Sequence, residues 1–208
     1  MNRSIIFTTA FFLVGIFVAL GWWYNGAQIS QAESKNLALL NDSNSISLGS
    51  PDAKVVLVEF FDPACGTCAQ FAPLVKELIK KHDPNLRLVL RYTPFHENVE
   101  SVVYMLEATR AQDKYWESLD AILAYQSSWV LNHVAYPGRV WPILESVGVD
   151  IVALKTQMKE PSIKAKIAKD MEDAMALGVK KTPSFYVNGV ALQRFGYEPL
   201  VDLIQKAL

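Results

Sequence analysis

Cysteine and histidine are scarce in this chain: two of the first and three of the second among 208 residues. A structural zinc centre needs four ligands. No second cysteine pair exists to complete one, and His82, His96 and His133 are scattered without metal-ligand spacing, so no metal is expected. Basic residues are not in excess either. The formal net charge is −1, and no basic patch marks a nucleic-acid surface. No cysteine near the N-terminus is available for lipid attachment, so a lipoprotein is not expected. Beyond residues 5–24 no apolar run approaches membrane-spanning length, and there is no internal repeat or low-complexity tract.

What is present is concentrated in one place. Phe60-Phe61-Asp62-Pro63-Ala64-Cys65-Gly66-Thr67-Cys68 puts both cysteines two residues apart, at the end of an apolar strand and the start of a helix. That placement points to a redox-active pair. Unpaired N–H groups and the positive end of the helix dipole favour an anion at a helix start, so the first sulfur is stabilised as thiolate. The second lies one turn in, close enough to close a small ring. Half a zinc site and a purely structural disulfide are the competing readings. The first lacks ligands, and the second would close too short a loop to remove much unfolded-state entropy.

The chain opens with a segment of its own kind. Residues 5–24 carry no charge, and about 20 apolar residues suffice to cross a hydrocarbon core of about 30 Å. Arg3 precedes the run and Trp22-Trp23-Tyr24 closes it, as suits a cytoplasmic N-terminus and an outer aromatic belt. Residues 1–24 are therefore read as a transmembrane anchor. A cleaved signal peptide ending at Ser30-Gln31-Ala32 is the alternative, although signal cores run only about 7–15 residues. Either arrangement delivers the rest of the chain to an oxidising compartment. Residues 25–45 are rich in Ser, Asn and Gln and read as a polar tether.

The remainder, residues 46–208, is long enough for one domain with a good core. Residues 54–61 (KVVLVEFF) form a continuous apolar run, as a buried strand should. Residues 65–82 carry apolar side chains at helical spacing, with Pro73 expected to bend the helix. Residues 86–92 (LRLVLRY) form a second strand, and strand–helix–strand order predicts a parallel pair. Residues 98–177 read as helical in several segments, broken at Pro137-Gly138 and Pro142 and restarting at Gly148-Val149-Asp150. Residues 184–187, Asn188-Gly189 and residues 190–193 give a β-hairpin signal, and residues 198–208 an amphipathic helix. The fold class is α/β: a thioredoxin fold with an inserted helical domain, preceded by the N-terminal transmembrane helix.

Over residues 46–208 the chain resembles the DsbA family of thiol–disulfide oxidoreductases. The resemblance rests on VEFFDPACGTCAQFAP, on YWESLDAIL (residues 115–123) and on LGVKKTPSFYVNGV (residues 177–190). It implies that Cys65 is the exposed nucleophile, Cys68 the buried resolving thiol, and Gly66-Thr67 the loop that tunes them. Thr182-Pro183 matches the cis-proline loop that faces the disulfide in this fold; a cis X–Pro bond is uncommon and usually has a purpose. It would leave the Thr182 backbone free to pair with an extended substrate. Glu59, six residues before Cys65, matches a buried acid beneath the dithiol. Burial would raise its pKa and let it exchange a proton with Cys68. Strand alternation pointing Glu59 to solvent is the bland alternative.

The resemblance further implies disulfide formation in exported cysteine-containing proteins, with the Cys65–Cys68 disulfide as the sole redox group and no separate cofactor. A membrane redox partner would recycle the dithiol, and the catalytic domain would face the periplasm or extracytoplasmic space from a single-pass inner-membrane anchor in a bacterium. One departure stands out. Gly66-Thr67 lacks the histidine found between the cysteines of the strongest oxidants; Thr67 can offer the sulfur a hydroxyl hydrogen bond but no charge, so a weaker oxidant is expected. A reductase or isomerase direction stays open, as does a soft-metal chaperone using both thiolates. Trp129, Tyr136 and Trp141 are read as core rather than a substrate groove, and Met171 and Met175 as core rather than a copper site.

Overall fold

The computed structural model describes residues 16–17, 20–24, 36–40 and 42–208. Most of the expected 5–24 span lies outside them; among the described residues no helix is long and apolar enough to cross a membrane. Leu39–Leu208 forms one compact unit, separate from Met1–Ala38.

Two strands organise that unit. β2 (Val55–Phe61) and β3 (Leu86–Tyr92) lie parallel, in register from Val55 opposite Leu86 to Phe61 opposite Tyr92. Every residue of both is buried except Val56 and Arg87, which are half-buried. Both faces of the sheet are covered, which is why these strands read as largely apolar runs, broken only by Glu59, Arg87 and Arg91, rather than alternating ones. β1 (Ser47–Leu48) adds antiparallel to β3. β6 (Ser184–Val187) pairs antiparallel with the free edge of β2, and β7 (Val190–Ala191) with β6, giving the order β1-β3-β2-β6-β7. The turn between β6 and β7 has Asn188 and Gly189 both at positive φ (47° and 87°). That conformation suits a two-residue hairpin and these two residue types.

α1 (Gly66–Lys81) crosses from β2 to β3 and buries Cys68, Phe71, Val75, Leu78 and Ile79, one face at helical spacing. Pro73 lies inside it without ending it. Lys80 and Lys81 in its last turn complement the negative end of the dipole. At the far end of the chain α8 (Tyr197–Ala207) packs Leu200 and Ile204 into the core.

Between β3 and β6 comes the insertion: α2 (Glu100–Ala108), α3 (Tyr115–Ala124), α4 (Gln126–Trp129), α5 (Trp141–Ser146), α6 (Ile151–Gln157) and α7 (Pro161–Ala176). Asp150 caps α6, accepting from the Val152 and Ala153 N–H groups at 2.8 and 3.0 Å. The sequence led us to expect helices throughout residues 98–177, but the insertion also contains strand. β4 (Val130–Leu131) and β5 (Val134–Ala135) make a two-stranded ribbon. It turns through Asn132 and His133 at φ 51° and 66°. Two-residue strands carry no periodicity, so only the Asn-containing turn could have marked them.

Aromatic placement corrects the sequence reading in part. Trp129 is completely buried, with its indole N–H donating to the Ile122 carbonyl at 2.9 Å. Tyr136 is exposed, Trp141 only partly buried, and Met175 is exposed rather than core.

One polar assembly is built into the interior. The guanidinium of Arg91 is fully buried and pairs with Asp170 and Asp173, and it donates to the Leu39 carbonyl at 3.0 Å. Asp170 also accepts from Lys166 at 2.5 Å and from the Tyr92 N–H at 3.0 Å. Charges this deep persist only when each is paired and hydrogen-bonded. The assembly fixes β3 to α7.

Candidate active site

The register of β2 decides what lies under the dithiol. Leu57, Glu59 and Phe61 alternate onto the face that packs on α1, and Val58 and Phe60 onto the other. Because both faces are covered, alternation cannot carry Glu59 to solvent, and it is 4 % exposed. Glu59 and Cys68 line one small cavity of about 20 Å³ together with Phe61, Leu88 and Trp116. That is room for roughly one water molecule.

Immediately after β2 the chain turns. The Cys65 N–H donates to the Asp62 carbonyl at 2.9 Å, and Cys65 becomes the N-cap of α1 with φ −75° and ψ 116°. Cys65 is 7 % and Cys68 1 % exposed, both as free thiols, so the expected exposed nucleophile is itself buried here, though less deeply than its partner. The Cys65 sulfur lies 3.3 Å from the Thr182 backbone carbonyl, to which the thiol donates when protonated. The Thr182–Pro183 peptide bond is cis.

The electrostatics separate the two sulfurs. A hydrogen bond from the Cys68 thiol lowers the Cys65 pKa, as do the Thr182 side chain and the N–H groups of Cys68 and Thr67. Burial opposes them, and Cys65 comes to about 5. These donors converge on the sulfur because it sits at a helix start. Cys68 moves the other way. Burial raises it most, reinforced by its hydrogen bond to Cys65 and by the charges of Glu59 and Cys65. Burial also raises Glu59 to about 8, with the Cys65 charge adding to it. One sulfur is thus held ready as thiolate and its neighbour is kept as a proton-bearing thiol over a carboxyl group that titrates near neutrality.

Two further side chains shape the loop, and the sequence reading assigned neither. Gln126, at the start of α4, donates to the Pro63 carbonyl at 2.7 Å and the Cys65 carbonyl at 3.1 Å. Asp62 is fully buried. One of its oxygens accepts from the Ala64 N–H at 2.7 Å, and the other from the N–H groups of Phe95 and His96 and the His96 Nδ1 at 2.8 to 2.9 Å. An aspartate followed by Pro-Ala before a helix start is a turn signal, and it was the available clue for Asp62. Gln126 carried none. The side chain that lowers the sulfur's pKa from across the loop is that of Thr182, while Thr67, expected to offer its hydroxyl, contributes through its backbone N–H. Among the described residues no cluster of three or more His, Cys, Asp or Glu side chains is placed to hold a metal.

A thiolate at a helix start, a proton-bearing partner one turn on, and a cis-proline loop across from them define a thiol–disulfide exchange centre on a thioredoxin-like sheet. Comparison with known proteins gives the family. A model described as thioredoxin matches residues 41–206. A thioredoxin-like oxidoreductase from Silicibacter pomeroyi DSS-3 is 33% identical, over 81% of this chain and 95% of that one, with a TM-score of 0.71. Two others share the fold. Oxidised BdbD from Bacillus subtilis is 21% identical over 79% of this chain and 92% of its own (TM-score 0.69). The thiol-disulfide exchange protein alpha-DsbA2 from Wolbachia pipientis is 18% identical over 88% and 98% (TM-score 0.72). Among curated proteins, the Na(+)/H(+) antiporter NhaA of Herminiimonas arsenicoxydans is 27% identical over 146 residues, 70% of this chain and 22% of the antiporter. The chain therefore spans about a fifth of the length of the curated relatives it matches. The chain belongs to the thioredoxin family and is similar over most of its length to a thioredoxin-like oxidoreductase.

Proposed function

We propose that the Cys-Gly-Thr-Cys pair works as an oxidant, forming disulfides in exported cysteine-containing proteins. The observation that carries this reading is the Cys65 sulfur at the N-cap of α1, where the hydrogen bonds it accepts lower its pKa to about 5. A sulfur that is stable as an anion is a good leaving group, and its stabilisation favours the reduced enzyme over the oxidised one. In the first step a substrate thiolate attacks the Cys65 sulfur of the Cys65–Cys68 disulfide. The S–S bond breaks, a mixed disulfide forms on Cys65, and Cys68 leaves with the electron pair. Cys68 takes up a proton, for which Glu59 is the nearby source, directly or through one water in their shared cavity. A second substrate thiolate then attacks the mixed disulfide. The substrate leaves oxidised by two electrons, and Cys65 departs as the stable thiolate.

Thr182 and Pro183 are assigned to substrate binding. Above the Cys65 pKa the sulfur has no proton to donate, so the Thr182 carbonyl becomes available to an extended segment lying along the loop. The dithiol is the sole redox group in this scheme, with no separate cofactor, and a membrane partner reoxidises it. We assign residues 5–24 to a membrane anchor that leaves the catalytic domain in the periplasm or an equivalent extracytoplasmic space. The length and lack of charge of that run support this.

The test is the equilibrium reduction potential of the Cys65–Cys68 pair against glutathione, where about 30 mV is a tenfold change in the equilibrium constant. A potential well above the glutathione poise is expected. A potential well below it would reverse the direction to disulfide reduction, and absence of a reversible dithiol couple would end the enzyme reading.

A further inference from the structure

Asp62 is a fully buried acid three residues before the attacking sulfur, yet its carboxylate's hydrogen bonds all go elsewhere. They divide by oxygen. Oδ1 takes the Ala64 N–H and so closes the turn that delivers Cys65 to the start of α1. Oδ2 takes the backbone N–H groups of Phe95 and His96 and the His96 ring, all from the loop between β3 and α2. That loop is itself held by the β4–β5 ribbon. The His96 ring stacks on His133, with centroids 6.1 Å apart and planes 23° apart, and the Ala135 N–H donates to the Glu97 carbonyl at 2.9 Å.

We propose that Asp62 is a positioning residue for the exchange reaction: its two oxygens lock the dithiol loop to the Phe95–His96 loop, and so hold the Cys65 sulfur against Thr182 and the helix-start N–H groups. The proposal rests on the reading of Cys65 as the reacting thiol. A buried carboxylate that only completed the fold could be placed anywhere in the core. This one joins the turn that carries Cys65 to the loop between β3 and α2, and it satisfies four donors at once, as a buried carboxylate requires.

The proposal makes a prediction opposite in sign to a simple charge effect. A carboxylate near a thiolate disfavours it, so neutralising Asp62 as a bare charge would lower the Cys65 pKa. Loss of positioning instead withdraws the donors that stabilise the thiolate, and raises it. In Asp62→Asn one oxygen remains, which can serve the turn or the loop but not both. The measurement is the thiolate absorbance of the reduced full chain as a function of pH, with circular dichroism as a check on folding. Asp62→Asn is expected to raise the Cys65 midpoint by about one pH unit, the scale of one weakened hydrogen bond to a charged group. His96→Ala, which removes only the ring contact, should raise it less, and His96→Asn, whose amide can replace Nδ1–H, should restore it. A midpoint unmoved or lowered in folded Asp62→Asn overturns the proposal. Should that variant not fold, a midpoint unmoved in His96→Ala, or not restored in His96→Asn, overturns it equally. Failure of the wild-type chain to show a reversible dithiol couple would sink the underlying enzyme reading instead, whatever the variants do.

Discussion

The Cys65 sulfur and the Thr182 carbonyl, 117 positions apart in sequence, lie 3.3 Å apart in space. This contact joins the two halves of the sheet: Cys65 follows β2, and Thr182 precedes β6, which pairs with β2. The insertion is accommodated between them without parting the halves. Replacing Thr182 by Val keeps the carbonyl and removes the hydroxyl that lowers the Cys65 pKa. The Cys65 midpoint is expected to rise by about one pH unit, since a hydrogen bond to a charged group is worth about 1.5 to 3 kcal/mol. Thiolate absorbance against pH reads this directly.

The division of labour between the sulfurs predicts different failures. Cys65→Ser should abolish exchange with a model dithiol peptide. Cys68→Ala leaves a lone Cys65 thiolate, which should attack added oxidised glutathione and accumulate as the mixed disulfide, releasing one glutathione thiolate. Non-reducing mass spectrometry distinguishes the two, and equal adduct formation by both variants would contradict the assignment of Cys65 as the attacking sulfur.

Stability should depend on redox state and pH in a defined window. The folded-state pKa of Cys65 is depressed to about 5, so between there and the ordinary thiol value the unfolded chain binds the extra proton. That contribution is full above the unfolded value and is lost as pH falls through about 5. The oxidised protein lacks this thiol. Urea unfolding should therefore show the reduced form gaining stability relative to the oxidised form as pH rises from about 5 to the ordinary thiol value near 9.

Glu59 acts with the opposite sign. Its pKa is raised to about 8, so its contribution is full below the ordinary carboxyl range and disappears as pH rises through about 8. Glu59→Gln should flatten the loss of stability as pH rises from the ordinary carboxyl range to about 8. It should also slow reduction of the disulfide, since the departing Cys68 thiolate loses its proton source. Unchanged stopped-flow rates in Glu59→Gln would remove Glu59 from the mechanism.

Away from the dithiol, Asp170→Ala strips Arg91 and Lys166 of a shared carboxylate in a buried site. A loss of about 3 to 5 kcal/mol is expected in urea denaturation. Asp120→Ala, which removes the partly exposed partner of Lys76, should lose less than about 1 kcal/mol.

Much of this was legible in the chain. The doubly covered strands announced themselves as apolar runs, the β6–β7 turn by Asn188-Gly189, and the cysteine pair by its place between strand and helix. What stayed hidden was whatever depends on distant partners. The ribbon at residues 130–135 is too short for any period to appear. Asp62 reads as a turn former until His96 and Phe95 are seen beside it. Arg91 looks like a surface residue interrupting an apolar strand, because the acids that allow its burial lie some 80 positions away on α7. Thr182 supplied the hydroxyl sought from Thr67, since a helix-start residue lends its N–H more readily than its side chain to the sulfur before it.

Gln126 carries a practical consequence. Its amide grips the two carbonyls that flank Ala64, yet it belongs to the insertion and not to the strand–helix unit that bears the cysteines. The tetrapeptide is thus not a portable cassette. Grafted onto a thioredoxin scaffold without this insertion, Cys-Gly-Thr-Cys would keep its helix start and lose the hand that steadies it, so the properties measured on the graft would describe the recipient.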